Sequence, residues 1–329
     1  MKRLIFLLVL PLIFVGFSTN ALAKVELIVY TSAKDALIGR LKEAFVSKYP
    51  DIELDYYSAG AAKLMVKIAG ELQSGMVGAD VVWTSEISDF YRLKHQGVLE
   101  KYISSEWRMV VSPVKDPDGF FTPVRLGTLG IAYNTKKVTS PPHSWQDLLD
   151  SRFRDGFGIA NPALSGTACV SVAMIAHNMG WDYIDRLKAN GAKMGQGSTQ
   201  LVADTASGDL KASIAIDYIT VERMEKGAPL GFMYPREMLV IPSPVAIFKG
   251  TPHLKAARKF VNFLLSREGQ EIIASTGTLP VREDVFLRQG FNLVPPREAE
   301  KRAMKIDYLK MLDEKDSIIQ KFTSIMRAN

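Results

Sequence analysis

The chain has 329 residues, 47% of them hydrophobic and 23% charged, with a formal net charge of +6. This apolar content excludes a disordered chain, and the length suits two units of roughly 150 residues better than one. A single cysteine excludes a disulfide scaffold or a multi-cysteine metal site, while the positive surplus fits nucleic acid, a membrane surface or an anionic small ligand.

Lys2 and Arg3 precede an apolar run from Leu4 to Phe17, and Ala21-Leu22-Ala23 follows. A basic start, an apolar core and a small-x-small site predict a secretory signal peptide cut after Ala23. The run is too short to span a bilayer. The next residue is Lys24 rather than cysteine, which argues against a lipid anchor. The expected location is a bacterial periplasm. Two of the six surplus charges leave with this segment, so net charge says little about partners.

Residues 27–31 (LIVYT) predict a strand and 35–50 a helix, with Leu37, Leu41, Ala44 and Phe45 on one face and Pro50 as its stop. Residues 52–58 alternate as a strand, 62–75 read as a helix, 79–84 as a strand and 85–97 as a helix closed by Gly97. Repeated βαβ units imply a mostly parallel sheet covered on both faces. The scheme recurs: strands at 129–135, 157–161 and 212–219, helices at 144–153, 165–180 and 198–208. Residues 238–250 are apolar and extended but broken by Pro242 and Pro244, 253–275 predict one long amphipathic helix, and 297–329 a solvated surface helix. Cys169 falls in an apolar helical run and reads as a core residue. Trp83 and Trp145 read as packing residues.

No flexible Ser/Gly linker separates the halves. Crossing strands at 120–127 and 240–248 are therefore expected to join two lobes around a cleft, with ligands held outside the carboxyl ends of the strands. The expected division is lobe 1 at 24–125, lobe 2 at 126–241, and a return to lobe 1 at 242–329, with C-terminal helices that pack on either lobe.

Several predicted strands end in small or hydroxyl residues that open a helix. These are Ser32 and Lys34 after the first strand, Ser58 and Gly60 after the second, and Ser85 after the third. Later come Ser165-Gly166-Thr167 and Ser198-Thr199. Helix N-termini expose unpaired N–H groups and the positive end of the dipole, and small side chains let an anion approach the backbone. The plain alternative for each turn is N-capping. Lys34 would add a point charge, Asp217 would accept from a ligand hydroxyl or amine, and Tyr218 would stack or hydrogen-bond.

The segments VYTSAKDALIGRLKEAF, ADVVWTSE, GIAYNT, NPALSGTA and AIDYI, in this order behind a signal peptide, resemble periplasmic solute-binding receptors of ABC transporters. The chain is most similar to the branch with ferric-iron-binding proteins and receptors for phosphonates and phosphorylated sugars. The resemblance implies an α/β, type II two-lobed periplasmic binding protein, each lobe a mostly parallel sheet flanked by helices, joined by hinge strands. It implies capture of a small anionic solute and delivery to an inner-membrane permease, with no cofactor. A monomer is expected.

The iron branch carries a metal-binding residue in the first turn, a carboxylate after the third strand and two adjacent tyrosines. Here those positions resemble Lys34, Ser85 (with Glu86 next to it) and Tyr218-Ile219. A cation and an isoleucine do not suit Fe³⁺, which wants anionic oxygens. The anion-anchoring turn is retained as Ser165-Gly166-Thr167. Two alternatives stay open: a ferric-iron receptor using a synergistic anion, and a secreted hydrolase. Ser165 lacks the G-x-S-x-G setting of a hydrolase nucleophile, and His95, His143, His177 and His253 have no metal-ligand spacing. Nucleic acid is not expected, because no basic cluster with interleaved aromatics occurs.

Overall fold

The computed structural model describes residues 24–111 and 115–328. The expected signal peptide, 1–23, lies outside the described residues. The first unit is β1 (Val25–Thr31), α1 (Asp35–Lys48), β2 (Ile52–Ser58), α2 (Ala61–Gln73), β3 (Val81–Trp83) and α3 (Ile87–His95). Period decides each element. In α1, Leu37, Leu41 and Phe45 recur every four residues and are fully buried, while β2 alternates buried Ile52 and Leu54 with exposed Glu53 and Asp55. β1 pairs in parallel with both β2 and β3.

β4 (Thr122–Asn134) is a single 13-residue strand, so the expected crossing strand at 120–127 and the expected strand at 129–135 are one element. The second unit follows as β5 (Phe157–Ala160), α4 (Gly166–Met179), α5 (Trp181–Ala189), β6 (Lys193–Gly195), α6 (Ser198–Ser207), β7 (Ala212–Ile216), α7 (Asp217–Glu225) and β8 (Leu230–Met233). β5 is parallel to β6 and β7. The strand expected over 212–219 stops at Ile216, and Asp217 begins a helix. The helix expected at 144–153 is two short 3-10 turns.

β9 (Leu239–Ile247) returns antiparallel to β4 and then pairs with β3, running through Pro242 and Pro244 without a break. The strand order β2-β1-β3-β9-β4-β7-β5-β6 places the paired crossing strands in the middle, between two mostly parallel halves. This is the two-lobed α/β architecture. The chain closes with α8 (Leu254–Leu265), α9 (Arg267–Ser275), β10 (Leu279–Pro280), α10 (Pro296–Arg302) and α11 (Tyr308–Arg327). One long helix over 253–275 is interrupted at Ser266, which caps α9 by accepting from the Gly269 N–H. Gly269 sits against the Phe263 carbonyl, where a Cβ would lie 2.1 Å from the oxygen.

The last helix is not simply solvated. α11 buries Met311, Ile318, Phe322 and Met326, and packs on α3 of the first unit as well as α4 and α5 of the second. Lys315 forms ion pairs with Glu86 and, at 3.6 Å, with Asp89, the Glu86 pair being the close one. Trp83, Trp145 and Cys169 are all buried core residues. Trp83 Nε1 donates to Ser243 Oγ (3.0 Å) and Trp145 Nε1 to the Glu237 carbonyl (2.7 Å), so both indoles are satisfied. Burial pushes the Cys169 thiol up to about 12, which leaves it inert.

Candidate functional site

The carboxyl ends of β1, β3, β5, β6 and β7 face a cavity of about 330 Å³ between the two units. Five helices begin at its walls. α1 and α2 come from one unit, with Lys34 and Gly60 at their N-caps. α4, α6 and α7 come from the other, with Ser165, Gly197 and Ile216. Of these, only Ser165 caps its own helix with a side chain, accepting from the Ala168 N–H at 3.3 Å. The N-caps of α1, α2, α6 and α7 make no side-chain capping bond. First-turn N–H groups of α1, α2 and α6 are thus left for another acceptor, and their dipoles favour a negative one, whereas in α7 the Asp217 carboxylate already takes the Tyr218 N–H.

Ten residues singled out from the sequence line this cavity. From one wall come Ser32, Lys34, Gly60 and Ser85; from the other come Ser165, Gly166, Thr167, Ser198, Thr199 and Tyr218. Ser58 and Asp217 do not. The Ser58 hydroxyl donates to the Ala33 carbonyl (2.8 Å) and braces the first turn. Asp217 is fully buried beneath the cavity. Its carboxylate accepts from the Thr128 N–H (3.2 Å) and hydroxyl (2.6 Å), the Thr278 hydroxyl (3.0 Å) and the Tyr218 N–H (2.6 Å). It fastens α7 to β4 and, fully buried outside the lining, is out of a ligand's reach. Burial pushes its pKa upward, and nearby Arg125 and these donors work against that rise.

The most important lining residue absent from the sequence reading is Arg125, in β4. It is 3% exposed. Its Nη1 donates to Thr278 Oγ1 (3.1 Å) and its Nη2 to Ser85 Oγ (3.2 Å), while Nε has no partner. The guanidinium lies 5.2 Å from the Tyr218 ring centroid, a cation–π contact. Its hydrogen bonds go to hydroxyls, so its charge is not quenched by a direct carboxylate partner. The sequence does carry one signal for it: a lone arginine inside the apolar run PVRLGTLGIAY, where a charge needs a partner. Gln196 and Gln200, at the start of α6, are the other polar lining residues that sequence reasoning missed.

The walls touch across the cavity. A Cβ on Gly166 would stand 2.6 Å from Glu86 Oε2 and 2.9 Å from Ala61 Cβ, and one on Gly60 would stand 3.1 Å from the Leu164 carbonyl. This is a closed arrangement, with glycine where the lobes meet. Ser85 is held by both neighbours: its N–H donates to Ser32 Oγ (3.2 Å), and its hydroxyl accepts from Arg125. Burial raises the Tyr218 phenol, and the Arg125 charge only partly opposes this.

Residues 79–311 match the family model for bacterial extracellular solute-binding proteins. The chain belongs to this family. A Salmonella typhimurium periplasmic protein described as 2-aminoethylphosphonate-binding is 26% identical over 251 residues, 73% of this chain and 72% of its own. The periplasmic binding protein AfuA of Actinobacillus pleuropneumoniae, solved with fructose 6-phosphate, superposes with a TM-score of 0.79 at 25% identity, covering 93% of this chain and all of the other. Iron-bound HitA of Pseudomonas aeruginosa gives 0.77 at 25% identity, over 92% and 99%. Homologues of this solute-binding protein are therefore periplasmic receptors of ABC transporters, whose work is binding and delivery of small solutes.

Proposed function

We propose that the protein captures a small anionic phosphate ester or phosphonate in this cavity and hands it to an ABC permease. The supporting observation is that three helix N-termini without side-chain caps, α1 and α2 from one wall and α6 from the other, meet at a cavity whose charged side chains are Lys34 and Arg125. Backbone N–H groups and a planar guanidinium suit a tetrahedral anion. The open form binds the anion on one lobe, and closure adds donors from the other and excludes water. The ligand shifts the open–closed balance by its differential affinity for the closed form. We place the changeover between lobes within the paired stretch of β4 and β9, giving lobe 1 at 24–125, lobe 2 at 126–241 and a return at 242–329. Export to the periplasm follows cleavage after Ala23, and the mature protein acts as a monomer.

The ferric alternative is disfavoured, because both charged lining residues are cations and burial raises the Tyr218 phenol away from the tyrosinate. For the hydrolase alternative, Ser165 Oγ is turned to its own helix, and the lining carries no histidine among the described residues. A thermal-shift panel of phosphorylated, phosphonate, carboxylate and ferric ligands tests the reading. Stabilisation by phosphorylated or phosphonate compounds supports it. Stabilisation by ferric ligands alone, or steady turnover of a model phosphate ester, overturns it.

A further inference from the structure

We infer that the cavity selects solutes whose organic part is neutral and hydroxylated, and rejects solutes that carry an ammonium group. This rests on the phosphate or phosphonate reading above and narrows it. Both charged side chains of the lining are cationic. With its anionic head at Arg125, a zwitterionic solute such as an aminophosphonate would carry its ammonium to the start of α6, against the positive end of that helix and in a cavity with no anionic lining side chain. An ammonium taken from water needs an anionic partner or costs several kcal/mol.

The neighbouring carboxylates are spoken for. Asp217 lies below the floor with four donors on it. Glu86 is paired to Lys315 behind Gly166. Asp35 and Glu222 line a separate cavity of about 300 Å³, and the wall shared by the two cavities is Tyr218. Tyr218 is 3% exposed and its ring is packed by Arg125, so it stands between a ligand and those acids.

What the site does offer is neutral polarity. Hydroxyls of Ser32, Thr167, Ser198 and Thr199 both donate and accept, as alcohol groups on a ligand do. Gln200 Oε1 accepts from the Gln196 backbone N–H at 2.8 Å, so its amide is oriented and its Nε2 donors are left over. The spacing of these two glutamines, four residues apart at the start of α6, fixes one to the other. The anionic head thus belongs at Arg125 and the helix N-termini, and a hydroxylated body against α6.

The experiment is calorimetric titration of the protein from Lys24 onward with four probes: fructose 6-phosphate, 2-aminoethylphosphonate, n-propylphosphonate and inorganic phosphate. n-Propylphosphonate replaces the ammonium with a methyl group of the same shape. Fructose 6-phosphate is expected to bind at least about 10-fold more tightly than inorganic phosphate, and n-propylphosphonate at least as tightly as its amino counterpart. Gln200→Glu, which keeps the oxygen that holds Gln196, is expected to invert that second ratio and to weaken fructose 6-phosphate. An aminophosphonate that binds about 10-fold more tightly than n-propylphosphonate to the parent protein overturns the inference while leaving the anion reading intact. Inorganic phosphate matching fructose 6-phosphate overturns the role of the organic body. Binding by none of the four removes the anion reading itself, and this inference with it.

Discussion

Arg125 and Asp217 are opposite charges, both buried, held apart by one hydroxyl. Arg125 Nη1 reaches Thr278 Oγ1 at 3.1 Å, and that oxygen lies 3.0 Å from Asp217 Oδ2. The spacing keeps the carboxylate close enough to steady the guanidinium, yet leaves the face of the cation to the cavity. A direct ion pair would satisfy Arg125 internally and remove it from ligand binding.

Arg125→Met is therefore expected to weaken binding of a phosphorylated ligand by about 100-fold. Arg125→Lys keeps the charge but loses the planar fork, and is expected to weaken it by about 10-fold. Titration calorimetry reads both, with thermal melts to confirm folding. Thr167→Asp, which puts a like charge in the same cavity, is expected to abolish binding without loss of fold.

Gly166→Ala tests closure. The added Cβ meets Glu86 and Ala61 on the facing wall, while the backbone at this position is ordinary helix. The expected outcome is about a 10-fold loss of affinity, an increase in radius of gyration with saturating ligand, and a melting temperature of the unliganded protein near that of the parent. Unchanged affinity would show that the lobes close without this contact.

Asp89 gives a pH signature. Its side chain is fully buried, and burial, aided by the Glu86 charge, pushes its carboxyl up to about 7, against the opposing pull of Lys315 and Arg92. The unfolded chain titrates at the ordinary value of 3.8. Between these values the folded state holds a proton that the unfolded state has released. This contribution to stability is full below about pH 4 and fades as the pH climbs through 7. Asp89→Asn removes the dependence, so its melting temperature should gain on the parent as pH rises from 4 to 8. Paired melts across that range are the check, and a constant difference would sink the assignment.

Ferric loading supplies a discriminating negative. Tyr218 is followed by Ile219, and burial holds its phenol above the ordinary range and so protonated. Iron-loaded protein freed of excess metal should show no visible tyrosinate band. A persistent coloured complex would restore the metal reading.

The strand–helix alternation of both halves was legible because each period is local: Leu37, Leu41 and Phe45 announce α1 without reference to anything distant. So were the turns, because small and hydroxyl residues between a strand and the next helix are a local signal, and eight such positions line one cavity. What failed was set at long range. ASIAIDYI alternates like a strand, but Asp217 starts a helix because its carboxylate is bonded to Thr128 and Thr278, 89 and 61 residues away. The C-terminal segment read as a solvated helix because its charges dominate its composition. Its apolar stripe of Met311, Ile318 and Phe322 has meaning only once α3, α4 and α5 present the faces that cover it.

By itself the sequence determined a two-lobed α/β receptor whose turns favour an anion, since period, caps and turn chemistry act between residues a few positions apart. Which cation stands in the cleft was decided only by tertiary structure. Lys34 advertises itself at a helix start, whereas Arg125 sits in a strand that reads as core. It lines the cavity because β4 crosses between the lobes and places its guanidinium under Ser85 and beside Tyr218. The neutrality of the rest of the cavity is likewise a matter of folding: Asp217 and Glu86 are near in sequence to lining residues, but their partners, Thr128, Thr278 and Lys315, hold them outside the lining.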